Sequence, residues 1–209
     1  MPESKPISSG TLEILRNIPT QTLIDGLWVM GWPMSFIHGA KPLQPGQHMA
    51  GRAVTLRFVP HRPDLVADKA KGDQSAEYVA IELCGPEEVL VIDAMGWEYS
   101  SIGGDIKFLR MMQRKAGGLV TDGAARDSNT LKGYGFPVYA ANTTAKQGPA
   151  EFWPWQVNDA IQCGGVLVRP GDAVVGDAVV GDAVVGDAVG DALQRHCLSL
   201  EHEASIAVD

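Results

Sequence analysis

The chain has no cluster of lysines or arginines, and its 17 basic residues are outnumbered by 25 acidic ones, for a formal net charge of −8. With no basic field to hold a phosphate backbone, nucleic acid is not an expected partner. Cysteine is scarce: Cys84, Cys163 and Cys197 are an odd number without CxxC spacing. Neither a disulfide framework nor a zinc knuckle is indicated, and a reducing, cytoplasmic setting is expected. No window approaches about eighteen uninterrupted apolar residues, and the N-terminal MPESKPISSGTLEILRNIP lacks an apolar h-region. Neither a membrane partner nor export is expected. No GxGxxG-like loop follows a first strand, so a methyltransferase reading has nowhere to place its methyl donor.

What is present is a globular composition. Hydrophobic residues make up 45% of 209 positions and charged ones 20%, with 24 glycines for tight turns, and this length suits one domain with a sizeable core. The expectation is therefore a single domain over 1–209, with an unusual Gly-Asp-Ala-Val-Val repeat at 171–192 and a C-terminal helix over 193–207. A negative chain can still bind an anion where an arginine, a metal ion or helix N-termini reverse the local field.

Ser8 or Ser9 is placed to cap a helix through Leu12, Ile14 and Leu15, and Thr20 a second through Leu23, Ile24 and Leu27, with Pro19 between them. Gly51 to Val59 reads as a strand ended by Pro60, and the end of 64–82, around Tyr78 and Ile81, as a helix. From Val89 the pattern is regular. VLVID (Val89 to Asp93) fits a buried strand, and a helix from about Asp105 would bury a stripe of Ile102, Ile106, Leu109 and Met112. GLVT (Gly118 to Thr121), a short helix over Ser128 to Lys132 and PVYAA (Pro137 to Ala141) follow. This alternation predicts an α/β layer with its site at the carboxyl ends of strands. GGVLVRPGD (Gly164 to Asp172) reads as strand and turn. In one continuous strand a five-residue period would alternate its valine pairs between faces, so the repeat fits a series of very short strands or one coil of a solenoid. Leu193, Cys197, Leu200 and Ala204 then recur at helical spacing.

The stretch from 100 to 140 carries the chemistry. Gly103-Gly104 directly precedes the helix at Asp105, so first-turn amides there can be approached closely by a carboxylate. A little over twenty residues after Asp105, Arg126-Asp127 falls just past the next strand. Taken separately, Asp127 is a reasonable helix cap, Arg126 a surface residue and Gly103-Gly104 a loop. Together, a glycine notch, an arginine and two carboxylates are the parts that metal-assisted chemistry on a 2-oxo acid requires. No buried lysine nucleophile is evident, since Lys107 and Lys132 are both expected on solvated helix faces.

These motifs resemble a known family: the class II 4-hydroxy-4-methyl-2-oxoglutarate / 4-carboxy-4-hydroxy-2-oxoadipate aldolases and their RraA-like relatives, the regulators of ribonuclease activity A. The likeness spans roughly residues 11 to 178, on IPTQTLIDGL, AGRAVTLRF, VLVIDAMG, GGD, GLVTDGAARD, GFPVYA and CGGVLVRPGD in that order. It implies a phosphohistidine-swivelling-like α/β/α sandwich, a homotrimer or hexamer with sites near subunit interfaces, Mg²⁺ or Mn²⁺ as cofactor, and a small 2-oxo acid as substrate. By the same resemblance Asp127 would ligate the metal and Asp105 would hold its waters. The amides of Gly103, Gly104, Asp105 and Ile106 would grip the pyruvyl carboxylate, and Arg126 would stabilise an enolate oxygen. Cleavage to pyruvate, with oxaloacetate decarboxylation through the same enolate, is the implied activity; a ribonuclease or helicase regulator is the alternative.

The chain departs from the family twice. Thr130 stands where active aldolases carry Asp or Glu, three residues after the Arg-Asp aspartate, and the repeat replaces a short turn and valine-rich strand. His38, His48 and His61 lack metal-ligand spacing and fit hydrogen-bonding roles. Trp153 and Trp155 could equally line a site or anchor packing, and Arg169 reads as a turn-flanking surface residue.

Overall fold

The structure, a computed structural model, describes residues 7–33, 35–177 and 183–186. In chain order the elements are α1 (Ser9–Leu15), α2 (Thr20–Val29), β1 (Phe36–Ile37), β2 (Lys41–Pro42), β3 (Met49–Pro60), α3 (Pro63–Val66), α4 (Ala76–Leu83), β4 (Glu88–Asp93), β5 (Ser101–Gly103), α5 (Asp105–Gln113), β6 (Gly118–Ala125), α6 (Ser128–Tyr134), β7 (Val138–Thr143), β8 (Phe152–Val157), β9 (Ile161–Cys163), β10 (Val166–Val168), β11 (Ala173–Gly176) and β12 (Ala183–Gly186).

One mixed sheet organises them, in the order β1-β12-β11-β3-β4-β6-β7-β2, with β5 added to β6 and β8 to β3. The centre is parallel: β3 pairs with β4, β4 with β6 and β6 with β7 in parallel register. Parallel strands need crossover connections, and α4, α5 and α6 are those connections. Apolar runs such as Val89, Leu90, Val91 and Ile92 are buried on both faces, as expected of strands covered on each side. Leu56, Leu90, Ile92 and Leu119 pack with Ile81, Phe108, Met111 and Leu131 from the helices. Ala53, Val89, Val91 and Val120 pack with Ile161, Cys163, Val166 and Val168 of the β9–β10 hairpin. The expected mixed α/β fold is what the chain adopts.

Several local expectations hold and several do not. Ser8 caps α1, accepting a hydrogen bond from Thr11 N at 3.1 Å. Thr20 does not cap α2. It is the first helical residue, and its amide donates instead to Asp177 Oδ2 at 3.2 Å, a carboxylate supplied from 157 positions away. The expected stripe on α5 holds only in part: Ile102 is buried and Met112 packs half-buried against the core, but Ile106 is 73% exposed and Leu109 43%, and Phe108 and Met111 are the residues the helix buries. The helix begins only at Asp105, so Ile102 belongs to β5 and does not set the helical face.

The repeat resolves into short strands. β11 and β12 are both AVVG units, and they pair antiparallel with each other, Val174 opposite Val185 and Val175 opposite Val184. β11 also pairs with β3, and β12 with β1, so two repeat units extend the sheet by two strands. A strand of four residues never has to reconcile a five-residue period with a two-residue pleat. The remaining repeat units and the expected helix over 193–207 lie outside the described residues. Among the described residues no helix is long and apolar enough to cross a membrane.

Candidate active site

The site is built where β5 and β6 end side by side. They run parallel, Gly103 opposite Ala125, and Arg126 N donates to Gly103 O at 2.9 Å just beyond the pairing. Gly104-Asp105 and Arg126-Asp127 therefore leave the sheet at the same edge, at the carboxyl ends of neighbouring strands, where α/β sheets place ligands. Asp127 adopts φ 56°, ψ 36° at the start of α6, a left-handed conformation that Asp tolerates better than most residues. Its carboxylate reaches the first turn of α5, where Oδ2 accepts from Asp105 N at 3.2 Å.

This approach explains Gly104. A Cβ there would stand 2.2 Å from Asp127 Oδ2 and 3.4 Å from Arg126 Cβ, so no other residue fits unless Asp127 moves. The glycine pair does mark a close approach. In this structure the approaching carboxylate is Asp127 itself, while the next amide, Ile106 N, donates to Asp105 Oδ1 at 2.8 Å. Both carboxylates sit where the partial positive charge of a helix N-terminus favours them.

Arg126 Nε stands 3.8 Å from Asp127 Oδ2, with the two side chains 33% and 36% exposed. The guanidinium is thus near a carboxylate of opposite charge while remaining reachable. It opens on a cleft lined by Tyr78, Ser101, Gly103, Gly104, Asp105, Ile106, Lys107, Arg126, Gln147, Gly148 and Pro149. All the residues singled out from the sequence are brought together here, with Asp127 directly behind Gly104. Tyr78, Ser101 and the 147–149 turn were not singled out. A cross-sheet bridge from Ser101 to Gln147 places that turn, and no motif encodes it.

Lys107 corrects an expectation. It is not on a solvated face: its side chain is 23% exposed, and its ammonium bonds Glu77 Oε2 at 2.5 Å and Ile102 O at 3.3 Å. Thr130 is exposed, one helical turn beyond Asp127. Among the described residues no group of three or more His, Cys, Asp or Glu side chains is placed to hold a metal ion. His38 packs edge-on to Phe36, His61 near Trp153, and His48 Nδ1 lies 3.8 Å from Asp177 Oδ1. Trp155 lies under Lys69, whose Nζ is 3.7 Å from the ring centroid, and Arg169 pairs within its turn with Asp172 at 3.4 Å.

A second pair of carboxylates lies inside the sheet and escaped the sequence reading. β6 runs on past Thr121, so Asp122 is only 4% exposed. It accepts from Ala94 N at 2.7 Å, Gly96 N at 3.1 Å and Gln162 Nε2 at 3.0 Å. Gln162 Nε2 also reaches Asp93 Oδ1 at 2.9 Å. Burial, then the nearby Asp122 charge, holds the Asp93 carboxyl above the usual range, against hydrogen bonds from Met95 N and Gln162. These groups pin the loop after β4, and neither carboxylate is among the residues that line the cleft.

The family model described as "RraA-like: Aldolase/RraA" matches residues 20–185. A protein of Halalkalibacterium halodurans named "Putative 4-hydroxy-4-methyl-2-oxoglutarate aldolase" is 35% identical over 162 residues, 77% of this chain and 69% of that protein. The crystal structure of Streptomyces coelicolor RraAS2, described as an unusual member of the RNase ES inhibitor RraA protein family, superposes with a TM-score of 0.82 at 28% identity. That match covers 98% of this chain and 97% of the other. An uncharacterised protein from Pseudomonas syringae pv. tomato shares the fold, with a TM-score of 0.79 at 21% identity over 96% of this chain and 91% of its own. The matched span runs from the first residue of α2 into β12 and takes in every residue of the cleft, so the chain belongs to the RraA-like family, which takes in both aldolases and RraA proteins.

Proposed function

We propose that the chain is a divalent-metal-dependent lyase that cleaves a 4-hydroxy-2-oxo acid, of the 4-hydroxy-4-methyl-2-oxoglutarate type, to pyruvate, and that it decarboxylates oxaloacetate through the same enolate. The observation that carries this reading is the convergence of Arg126, Asp127 and the Gly104–Asp105 turn at the edge of one cleft. Breaking the bond between C3 and C4 sends an electron pair toward the C2 oxygen. A fixed cation must meet that charge if no Schiff base forms. Arg126 offers a planar guanidinium that stands 3.8 Å from Asp127 and lines the cleft.

The donor chemistry suits a hard cation. Asp127 and Asp105 supply carboxylate oxygens with no histidine or thiolate beside them, and Mg²⁺ binds through one or two carboxylates while keeping several waters. Asp127 would ligate the ion directly and Asp105 would orient its waters. Bound there, Mg²⁺ or Mn²⁺ supplies Lewis-acid polarisation of the 2-oxo group. Asp105, the one carboxylate in the cleft lining, takes the 4-hydroxyl proton through water as the bond breaks.

A second reading, regulation of a ribonuclease, is favoured by two features: Thr130 in place of an acidic residue, and an exposed apolar group of Trp28, Val29 and Trp32, 77%, 62% and 40% accessible. One assay separates the two readings. The purified chain is incubated with oxaloacetate and with 4-hydroxy-4-methyl-2-oxoglutarate, with Mg²⁺ or with EDTA, and pyruvate is followed. The lyase reading expects pyruvate from at least one substrate, abolished by EDTA. Turnover indifferent to EDTA removes the metal from the mechanism, and no pyruvate under any condition leaves the regulator.

A further inference from the structure

The active cleft has a neighbour. A hollow beside it is walled by Phe58, Phe152 and Trp153 and carries Lys71, Ser75 and Lys107, and the two adjoin along Ser101, Lys107 and Pro149. The aromatic wall is firm, with the Phe58 and Phe152 rings in edge contact at 4.6 Å between centroids.

Ser75 is the unusual member. It stands at the N-cap of α4, where a serine hydroxyl normally accepts from an amide of the first turn, yet its side chain makes no capping bond. The residue is 5% exposed, and its Oγ is the buried side-chain polar atom without a hydrogen-bond partner among the described residues. Buried hydroxyls are almost always paired, so an unpaired one on the wall of a hollow calls for a ligand atom or an ordered water. Lys107 adds a donor: its ammonium has three N–H groups, and Glu77 and Ile102 O account for two. With Lys71 the hollow holds two cations against the one carboxylate of Glu77. Its chemistry is thus an apolar wall for methylene or methyl groups, leading to hydroxyl and ammonium donors.

We propose that this hollow is a specificity subsite for the arm of the substrate distal to the pyruvyl group, and that it selects a short apolar arm ending in a carboxylate, with Ser75 and Lys71 as the selecting residues. The inference rests on the lyase reading for which end of the substrate faces Arg126. It assigns to Ser75 no part in bond cleavage. A monocarboxylic 2-oxo acid fills the cleft alone, and a 2-oxo diacid reaches both.

The test is binding of two probes to the full chain in MgCl₂, pyruvate and 2-oxoglutarate, each titrated calorimetrically. The wild type is expected to prefer 2-oxoglutarate. Ser75→Ala and Lys71→Met should each weaken 2-oxoglutarate by about tenfold or more, the loss of one hydrogen bond to a charged group, and leave pyruvate within about twofold. Ser75→Thr keeps the hydroxyl and should keep the preference, and melting curves of all variants guard against misfolding. Equal binding of the two probes by the wild type, no binding of either, or equal losses for both probes in the variants would overturn the subsite. The lyase reading fails separately, when the preference is present but oxaloacetate yields no metal-dependent pyruvate.

Discussion

Gly104 and Asp127 share one volume of space, and the chemistry proposed for the cleft depends on which of them yields. Gly104→Ala puts a methyl group 2.2 Å from the position of Asp127 Oδ2, so the carboxylate must swing away from Asp105 N. The backbone of Gly104 has φ −135° and ψ −165°, which alanine adopts without strain. The expected result is a variant that melts within a few degrees of the wild type but loses metal-dependent pyruvate release by at least about a hundredfold, as misplaced catalytic groups commonly do. Retained activity would show that the contact between Gly104 and Asp127 is not used. Thr130 is the complementary case. Groups that orient metal ligands commonly change affinity by about 10- to 100-fold, so Thr130→Asp should lower the Mg²⁺ concentration needed for half-activation, while Asp127→Ala should abolish metal-dependent turnover. Titrating Mg²⁺ at saturating substrate checks both, and an unchanged titration in Thr130→Asp together with activity in Asp127→Ala would move the metal elsewhere.

Between elements, single carboxylates join parts of the chain that are distant in sequence. Asp177 follows β11 and accepts from the first amide of α2, so the repeat is tied to the N-terminal helices. Asp177→Ala should cost about 1 kcal/mol, the usual loss of a helix cap, read as a lower midpoint in urea with no change in slope. Asp93 ties β4 to the β9–β10 hairpin through Gln162. Its folded-state pKa is raised by burial, so the protonated form is favoured in the native state. The stability this contributes is fully present below the unfolded carboxylate value of about 3.9 and is lost as pH rises through the folded value. Asp93→Asn keeps the acceptor and cannot ionise. The variant should therefore match the wild type in Tm near about pH 3 and exceed it at about pH 7. A Tm gap that is the same at both values would contradict this. The sequence made the strands legible, because VLVID and GLVT are apolar runs bounded by turns. It hid Asp122, because an acid inside an apolar strand reads as the end of that strand until its buried partners are seen.

On the scale of the whole molecule, a net charge of −8 keeps copies apart at long range, but the exposed Trp28, Val29 and Trp32 favour contact at short range. The assembly implied by the family resemblance is a homotrimer or a hexamer. Light scattering after size exclusion should return three or six copies of a 22.3 kDa chain. A wild type of one copy would leave the cleft to act within a single chain.

The sequence by itself determined the fold class, the family and the residues that converge, because each depends on local pattern: apolar runs for parallel strands, Gly-Gly before a helix, Arg-Asp after a strand. Tertiary structure alone decided which side chain fills the glycine notch, that Lys107 turns inward to Glu77, that α5 buries Phe108 and Met111 rather than Ile106 and Leu109, and that Asp177 caps α2. It also decided that two AVVG units pair as strands. Each of those outcomes is a contact between segments whose spacing along the chain carries no signal, and such contacts are set only when the parallel strands bring their ends to one edge of the sheet.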